Sequence, residues 1–580
     1  NGDWGRQSAD LQKLSAEDQQ RLMQVMMEYM QSGTKLVEDG TFPTMTTFDM
    51  LMATKHNFGI SSTTDTKDLL EKGDAESFKV LESLPGPWHD AKTEKDRIQL
   101  VRETQRELVA GRDVFQYANW QVKYGDRGLS SNIVVPTVAS VGYGAQLVRR
   151  FIPRVILADP ADAERISRTH VRKEGNFEHV IYDSVLSTTD NEHWKKQRGH
   201  LSEVFLPLST LAEVLPVSLD RAKSCAVRLA EQAEAGAVDM SDFLLHEAQA
   251  QLQLALLGAP QNLMEATNRE IRAAFMGDLE EGRVGALCEA MTEIMKVTKD
   301  SGALPSDGCP VQGPLSRAVH TSGLPASAAY GNMLLILFAG HDTTGHTMTW
   351  LLFEAARHPE IQSRLHAEVD AFFQHLGGRD PTYRDLGSGK LDYLDRCITE
   401  TLRMWPAVAS GTYRQLQFDD EVTGPNGTRV MLPRGTPVNI VNWPRHRNPA
   451  LWGADADEFN PSRDFAQEEL ARVGCPLAAR NPQSDRFSPF SHAPRSCLGR
   501  NFAQMEMRLI LTQLLRDFRF SLAPPYDSLA GMKMSATPGP GDFHGVNRAT
   551  MGPMDLERRT EHYWGTRHVY ALKMKVERRR

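Results

Sequence analysis

The chain has 580 residues, of which 41% are hydrophobic and 24% charged, and its formal net charge is -8. This composition is typical of a globular protein with a large core, arranged as one large domain or as several. The negative charge balance argues against a nucleic-acid partner. The six cysteines are widely separated and form no Cys-x-x-Cys pair, which favours a reducing, intracellular compartment.

The sequence leaves the cellular location open. No run reaches the roughly 18 apolar residues of a membrane span, and the start lacks the pattern of a signal peptide. The chain begins with Asn1 and not with methionine, so one interpretation is a fragment or processed form that lacks an anchor or an upstream domain. Membrane association of a longer form therefore stays open.

The first part of the chain differs in pattern from the rest. Residues 1–110 are polar and helix-prone, and we treat them as an N-terminal extension of unclear role. From Asp113 the sequence DVFQYANWQVKYG predicts a helix, and the runs at Ile133 and Arg154 predict two strands. We therefore predict that the main domain covers residues 111–580.

The following segments are mostly helical in pattern. In DNEHWKKQRGHL, Trp194 and Arg198 are four residues apart, so on a helix they share a face. Taken alone, such a pair is usually surface packing. Residues from about 210 to 300 continue the helical pattern, and residues 301–326, with their Gly, Pro and Ser content, predict a surface loop.

An apolar helix follows whose middle contains small and polar residues, in GNMLLILFAGHDTTGHTMTWLLFEAARHP. The Thr343 hydroxyl can donate a hydrogen bond to the carbonyl of Ala339, which would open the helix locally and leave a groove about the size of dioxygen. Asp342 would then lie beside the groove as a proton source. A packed helix that merely tolerates polar residues is a poor alternative, because a buried unpaired carboxylate is costly.

Two histidines lie in the same helix. His341 and His346 are five residues apart and do not share a face cleanly. We therefore interpret them as ordinary helix histidines and not as metal ligands.

Glu400 and Arg403 are one helical turn apart in ETLR, a spacing that is among the commonest for helical ion pairs. By itself this pair indicates only a helix. It gains significance only in combination with the later segments of the chain.

One cysteine has a chemically suggestive setting, in FSPFSHAPRSCLGRNFAQMEMRL. A helix that begins after Cys497 directs unpaired N–H groups at the sulfur and favours the thiolate, and Arg495 adds positive charge. Gly499 allows close approach of a flat cofactor, and Phe490 can shield the sulfur. We interpret Cys497 as a thiolate ligand of haem iron; the alternative, a buried structural cysteine, is the commoner fate of a lone cysteine.

These motifs together resemble the cytochrome P-450 family. The spacing FxxAxRxCxG resembles its haem-binding loop, although the family usually has glycine where this chain has Ala493. AGHDTT resembles the oxygen-activating helix, and WxxxR and ExxR precede and follow it in the family's order. The resemblance covers roughly residues 110–580, and a chance match of four ordered motifs is very improbable.

The resemblance implies a mainly α fold with a small β region, in which haem b lies between the long distal helix and the cysteine loop. Cys497 would be the axial ligand, and Asp342 and Thr343 would deliver protons. The other residues that would contact the cofactor are Trp194, Arg198 and Arg495 at the propionates, with Phe490, Ala339 and Gly340. A buried cluster of Glu400, Arg403 and Arg463 would hold the core beside the haem.

The implied activity is that of a monooxygenase, which would insert one oxygen atom from O2 into a lipophilic small molecule such as a fatty acid or terpenoid. No flavin or nicotinamide signature is visible, so electrons would come from a separate reductase or ferredoxin. Lys195, Lys196 and Arg500 flank the haem-side motifs and would suit an acidic partner; solvated surface cations are an equally good interpretation.

Three alternatives stay open. A haem-thiolate hydroperoxide isomerase, dehydratase or peroxygenase would share the cysteine loop, although such relatives often lack the acid and alcohol of Asp342 and Thr343. A haem-binding sensor or carrier would need no proton relay. A helical interaction protein without haem is the third class.

Overall fold

A computed structural model gives the fold. It describes residues 63–110, 113–141, 148–174, 183–276, 313–321, 323–471, 482–524, 526–529, 535–538 and 572–579. Residues 1–62 of the predicted extension and residues 301–312 of the predicted loop lie outside this set. The loop prediction is wrong for Pro314–Thr321, which form a helix because Leu315 and Val319 are buried in the core.

The N-terminal part of the described chain combines helices with a strand pair. These elements are α1 (Thr63–Glu71), α2 (Ala75–Ser83), α3 (Glu94–Ala110), α4 (Asp113–Tyr124), β1 (Ile133–Val141), β2 (Val148–Leu157) and α5 (Pro160–Thr169). The helix predicted at Asp113 and the two predicted strands are confirmed. Val80 of α2 and Val101 of α3 share a core with Val134 and Val155 of the strands. The boundary at residue 110 stays a prediction, but residues 63–110 pack against the sheet.

Long helices dominate the middle of the chain. They are α6 (Asn191–Phe205), α7 (Leu208–Glu234), α8 (Met240–Gln251), α9 (Gln261–Met276), α10 (Pro314–Thr321), α11 (Ala326–Arg357) and α12 (Pro359–Leu376), with the short strand β3 (Val238–Asp239) before α8. Helix α6 begins where Asp190 accepts hydrogen bonds from the N–H groups of Glu192 and His193. Helix α8 continues into a π-helical turn, Leu252–Leu257, which ends at Gly258 in the left-handed conformation.

The C-terminal part alternates short strands and helices. Its elements are α13 (Tyr383–Leu386), α14 (Asp392–Met404), β4 (Thr412–Gln415), β5 (Asp420–Thr423), β6 (Arg429–Leu432), β7 (Pro437–Ile440), α15 (Asn442–Arg447), α16 (Pro449–Trp452), α17 (Gln467–Ala471), α18 (Arg500–Asp517), β8 (Phe518–Leu522) and β9 (Lys573–Arg578). Single 3-10 turns occupy Pro87–Asp90, Gly128–Ser130, Pro425–Gly427 and Tyr526–Leu529.

The strands form small sheets at the edge of the helical body. One sheet has the order β1-β2-β7-β4, in which only the β2–β7 pair is parallel. A second has the order β3-β9-β8, and β5 pairs with β6 in a hairpin. A helical body with small sheets confirms the predicted fold class.

The main core lies between α7, α8, α11, α14 and α18. Trp350 of α11 stacks on Trp405 at the end of α14, with ring centroids 3.8 Å apart. Among the described helices, none is alone long and apolar enough to cross a membrane; α6 and α7, bent by 56° to each other, meet the length and composition criteria only as a pair.

Candidate active site

Helix α11 is buried along most of its length, but one face in its middle is partly exposed. Ile336, Ala339, Gly340 and Thr343 recur at spacings of three and four residues on that face. These four residues are therefore partly accessible, whereas most of their neighbours on the same helix are buried. A Cβ added to Gly340 would lie 2.7 Å from the side chain of Leu252, so the glycine allows the π-helical turn to pack closely.

The Thr343 hydroxyl donates a hydrogen bond to the carbonyl of Ala339 at 2.8 Å, as the sequence predicted. Helix α11 nevertheless runs as α-helix without a break from Ala326 to Arg357. The predicted local opening of the helix is therefore not present, since a threonine hydroxyl can share a carbonyl with the backbone ladder without breaking it.

Asp342 lies beside Thr343 in the chain but on a different side of α11. Its carboxylate is 1% exposed, and its Oδ1 lies 3.2 Å from Nδ1 of His346, which is fully buried one turn later. The imidazole is not aligned for a straight N–H···O bond in this rotamer. The sequence analysis compared His346 only with His341 and therefore missed this contact. The spacing of four residues between Asp342 and His346 could have revealed it, because such residues are neighbours on a helix. Among the described residues, no group of three or more His, Cys, Asp or Glu side chains is arranged to hold a metal ion.

The cysteine loop ends at the start of α18. The N–H of Cys497 donates to the carbonyl of Phe490 at 2.8 Å, and α18 begins directly after Gly499. Protein surrounds the thiol, yet part of the side chain is accessible, so it faces open space and not packed core. The ring of Phe490 packs against the main core beside it.

Burial raises the pKa of the Cys497 thiol, while N–H groups of Gly499 and Arg500 and the charges of Arg500 and Arg198 act in the opposite direction. The expected contribution of the helix start is therefore present, but it does not outweigh burial. Arg495 was predicted to supply positive charge to the Cys497 sulfur, but Arg500 and Arg198 do so in the structure. The Arg495 guanidinium instead donates to the carbonyls of Val185 and Thr188. A bound metal ion would supply the missing positive charge.

Three of the predicted cofactor residues lie together beside this loop. Arg198 donates to the carbonyl of Ser496 at 2.9 Å, directly before Cys497. Arg495 lies over the ring of Trp194 at 4.4 Å, and Arg198 lies 6.0 Å from the same ring. Helix α6 and the cysteine loop therefore bring Trp194, Arg198 and Arg495 into one group.

Two further cations join them that sequence reasoning missed, Lys173 and Arg414. Both donate to the hydroxyl of Thr412, Lys173 at 2.6 Å and Arg414 at 2.7 Å. Thr412 and Arg414 share a face of β4, because side chains alternate along a strand. The alternation of side chains along the strand could have placed Arg414 beside Thr412 in the sequence analysis. A strand of only four residues is too short to be predicted from such a pattern.

We call Lys173, Arg198, Arg414 and Arg495 the cationic cluster. In the described part of the chain none of them forms an ion pair with a carboxylate, and Nε of Arg495 and both Nε and Nη2 of Arg414 have no hydrogen-bond partner. Burial lowers the pKa of Arg414 to about 10. Burial, with Arg414 and Arg198, lowers the pKa of Arg495 to about 9, and burial also lowers the pKa of Lys173 strongly. Buried cations of this kind are costly unless an anion joins them.

A second group of buried charges is fully paired. Arg403 forms a bidentate pair with Glu400 at 2.7 and 2.8 Å and donates to the carbonyls of His446 and Ala456. Arg463 approaches Glu400 at 3.4 Å. We call Glu400, Arg403 and Arg463 the paired cluster. The structure brings these three residues together as the resemblance implied.

Comparison with known proteins finds similarity to one family over part of the chain. Residues 319–543 match the family cytochrome P-450. The chain is 34% identical over 195 residues to the probable cytochrome P-450 313a1 of Drosophila melanogaster, which is 34% of this chain and 36% of that protein. It is 33% identical over 203 residues to cytochrome P-450 3A12 of Canis lupus familiaris, which is 35% of this chain and 36% of that protein. Residues 319–543 are therefore similar to cytochromes P-450.

A third relative has a different organisation. A bifunctional cytochrome P-450/NADPH–P-450 reductase of Acremonium egyptiacum is 32% identical over 238 residues, which make up 40% of this chain and 21% of that protein. The present chain thus spans about a third, or less, of the length of these curated relatives.

The cofactor of cytochromes P-450, the family that residues 319–543 match, is haem, which they bind through an axial cysteine thiolate. The described residues fit it. Haem carries two carboxylates, and the cationic cluster has unsatisfied donors but no carboxylate of its own. An accessible cysteine at the end of the adjacent loop fits the remaining requirement, a ligand for the iron.

Proposed function

We propose that this protein is a cytochrome P-450, a haem-thiolate monooxygenase that inserts one atom of O2 into a lipophilic small molecule. The single observation that supports it best is the cationic cluster beside the Cys497 loop. Its members are buried, apart from the partly buried Arg198, and have no carboxylate partner among the described residues. Their unpaired donors favour a bound anion, and the two haem propionates would meet that need.

Six residues would hold the cofactor: five would bind its carboxylates, and the sixth would bind its iron. Cys497 would bind through its sulfur, and the cationic cluster with Trp194 would bind the two carboxylates. When bound, haem supplies oxygen binding and the oxidising chemistry. The paired cluster would take no part in the reaction and would hold the surrounding core.

The protein's own share of the reaction would be proton control. The Thr343 hydroxyl lies on the partly exposed face of α11 and holds a proton there. The Asp342 carboxyl, adjacent in the chain, would resupply that proton from the interior. The imidazole of His346, 3.2 Å from the Asp342 carboxyl group, would help to orient it.

A lipophilic substrate suits the exposed face of α11. Ile336 and Ala339 are apolar, partly exposed and lie on the same helix face as Thr343. Burial of apolar substrate surface against them would be favourable at roughly 25 cal/mol per Å². Residues 277–312, where we expect further substrate contacts, lie outside the described part of the chain.

We propose a separate reductase or ferredoxin as the electron donor, in contrast to the Acremonium relative, whose name includes a reductase. Of the three predicted docking residues, Lys195 already pairs with Glu192 at 2.6 Å on the surface. Lys196 and Arg500 remain the better contacts for an acidic partner, because neither has an ion pair among the described residues.

Spectroscopy and isotope labelling test the proposal. The reduced protein treated with carbon monoxide should show the absorption band of thiolate-ligated haem, and Cys497→Ala should abolish it. Cys225→Ala, which changes a buried cysteine of α7, is the matched control and should keep the band. A Cys497→Ala protein that retains the band would rule out the ligand assignment.

Turnover separates the alternatives. With a reductase, NADPH and a panel of lipids, label from isotopic O2 should appear in the product. Product formed from a lipid hydroperoxide without O2 or electrons would instead indicate an isomerase. A haem spectrum without either reaction would indicate a sensor or carrier. Thr343→Ala should lower the product formed per O2 consumed, whereas Thr349→Val on the same helix should not.

A further inference from the structure

A buried pair of amide side chains connects α11 with α6. Asn332 of α11 donates from Nδ2 to Oε1 of Gln197 at 2.8 Å. Both residues are fully buried. Asn332 lies on the same face of α11 as Ile336 and Thr343, three turns before Thr343.

The remaining atoms of the two amides bind one short segment, residues 183–189. Asn332 Oδ1 accepts from the N–H of Val185 at 2.8 Å, and Gln197 Nε2 donates to the carbonyl of Asp183 at 2.8 Å. Within the segment, the Ser184 N–H donates to the Ser187 hydroxyl, and the Thr188 N–H donates to the Ser184 carbonyl. The segment is therefore a hydrogen-bonded turn fixed by two helices.

The same turn provides the acceptors for Arg495. The guanidinium donates from Nη1 to the carbonyl of Val185 at 3.2 Å and from Nη2 to the carbonyl of Thr188 at 3.3 Å. Val185 thus uses its N–H on Asn332 and its carbonyl on Arg495. With both Nη atoms occupied, Arg495 keeps only Nε without a partner.

We propose that the Asn332–Gln197 pair positions Arg495 for a haem carboxylate by fixing residues 183–189, and thereby couples α11 to retention of the cofactor. A satisfied buried network has one good geometry, so it orients the groups attached to it. Among the described residues no carboxylate holds Arg495, so the two carbonyls, together with the ring of Trp194 that it covers, set its direction. The inference rests on the proposed haem site but not on oxygen insertion.

Haem loss from the loaded, full-length protein measures the effect. Excess haem-free myoglobin captures released haem and reports it by absorbance. Asn332→Leu, of similar volume, removes both hydrogen bonds of Asn332 and should accelerate haem transfer roughly tenfold. Gln197→Leu should act similarly, and the double variant should exceed the larger single effect by less than about twofold, because both changes break one network.

A second cycle distinguishes positioning from general destabilisation. Arg495→Leu should accelerate haem loss by itself, and adding Asn332→Leu to it should change the rate by less than about twofold. Thr349→Val is the matched control, because Thr349 is buried on α11 and donates only to Gly345 of its own helix; its rate should stay at the wild-type value. Thermal unfolding of each loaded protein confirms that it is folded.

Three outcomes would overturn the inference: wild-type haem loss in Asn332→Leu, its full acceleration in the Arg495→Leu background, or equal acceleration by Thr349→Val. If Asn332→Leu does not fold, Gln197→Leu on the other helix carries the same cycle. Wild-type protein that takes up no haem would refute the proposed function and this inference together. Wild-type protein that holds haem without oxygenating a lipid would leave this inference standing.

Discussion

The paired cluster and the cationic cluster are both largely buried, but the cations of the first have carboxylate partners, whereas those of the second have none among the described residues. In the paired cluster Arg463 meets Glu400 and Asp455, and although burial lowers its pKa, these carboxylates raise it above the ordinary value. In the cationic cluster burial lowers the pKa of Arg495 to about 9, and its cationic neighbours contribute to this lowering. Paired buried charge indicates scaffold, whereas unpaired buried charge of one sign indicates a site for an ion of the other sign.

The largest effect should come from breaking the paired cluster. Arg403→Leu leaves Glu400 with one cation fewer and removes the donor to the carbonyls of His446 and Ala456. We expect the free energy of unfolding to fall by about 3–5 kcal/mol, because a buried charge loses its partner. Urea unfolding followed by tryptophan fluorescence measures it.

A surface pair provides the control for this variant. Arg379 makes the same bidentate contact with Asp385, at 2.7 Å for both bonds, but its side chain is half exposed. Arg379→Leu should cost clearly less than Arg403→Leu, since solvent screens an exposed pair. Equal costs for the two variants would contradict a scaffold role for the paired cluster.

The second prediction concerns Arg414, which is equally buried but has no carboxylate partner in the described part of the chain. Arg414→Leu should leave the stability of the haem-free protein unchanged or slightly raised, because it removes a desolvated cation. It should accelerate haem transfer to haem-free myoglobin roughly tenfold or more, because a charge-assisted contact to the cofactor is lost. The rate of haem transfer should therefore rise while the free energy of unfolding of the haem-free protein does not fall.

Arg445 is the matched control for Arg414. It is just as buried, and burial likewise lowers its pKa to about 10, but it donates to two carbonyls, an amide and a hydroxyl. Arg445→Leu should destabilise the haem-free protein. If Arg414→Leu destabilised it as much, the cationic cluster would be scaffold after all.

The third prediction uses pH. Burial, with Arg414 and Arg495, lowers the pKa of Lys173 well below 10.5, whereas an unfolded lysine keeps its proton to about pH 10. Between these values the unfolded chain binds more protons than the folded one. The stability of the haem-free protein should therefore rise with pH in that window, by at most about 1.4 kcal/mol per unit.

Lys173→Met should remove this slope and raise stability at the lower end of the window. Urea unfolding at a series of pH values measures both. Haem-loaded wild type should show a smaller slope, because carboxylates beside Lys173 oppose the lowering of its pKa. Lys195→Met, at an exposed lysine, should keep the wild-type slope; a slope that survives Lys173→Met would exclude this residue as its source.

The sequence predicted those parts of the site that depend on local spacing. Thr343 and Ala339, or Glu400 and Arg403, lie within one helical turn, so periodicity alone brings them together. The cysteine loop was recognisable because its residues are contiguous. The mainly α fold followed from the long periodic segments, which are the most reliable signal in a sequence.

The missed residues depend on contacts between distant segments. Lys173 and Arg414 meet at Thr412 although about 240 positions separate them along the chain, and no pattern within either segment indicates the contact. His346 was missed for another reason: its relation to Asp342 was visible, but burial decides whether such a pair matters. Likewise, the pKa of the Cys497 thiol depends on burial, which raises it by more than the N–H groups at the start of α18 lower it.

The smallest effect should come from Thr412, the neutral acceptor shared by the two missed cations. Thr412→Val removes the hydroxyl that accepts hydrogen bonds from Lys173 at 2.6 Å and from Arg414 at 2.7 Å. In the haem-free protein this should cost about 1 kcal/mol, because no carboxylate replaces the acceptor. In the haem-loaded protein the cost should be smaller, because the propionates can accept the same donors. Urea unfolding of both forms measures the difference, with Thr401→Val, which loses only a bond to Cys397 within α14, as the control. A cost that is equal in both forms would mean that Thr412 serves the fold and not the site, and the distinction between the two clusters would then depend on Arg414 and Lys173 alone.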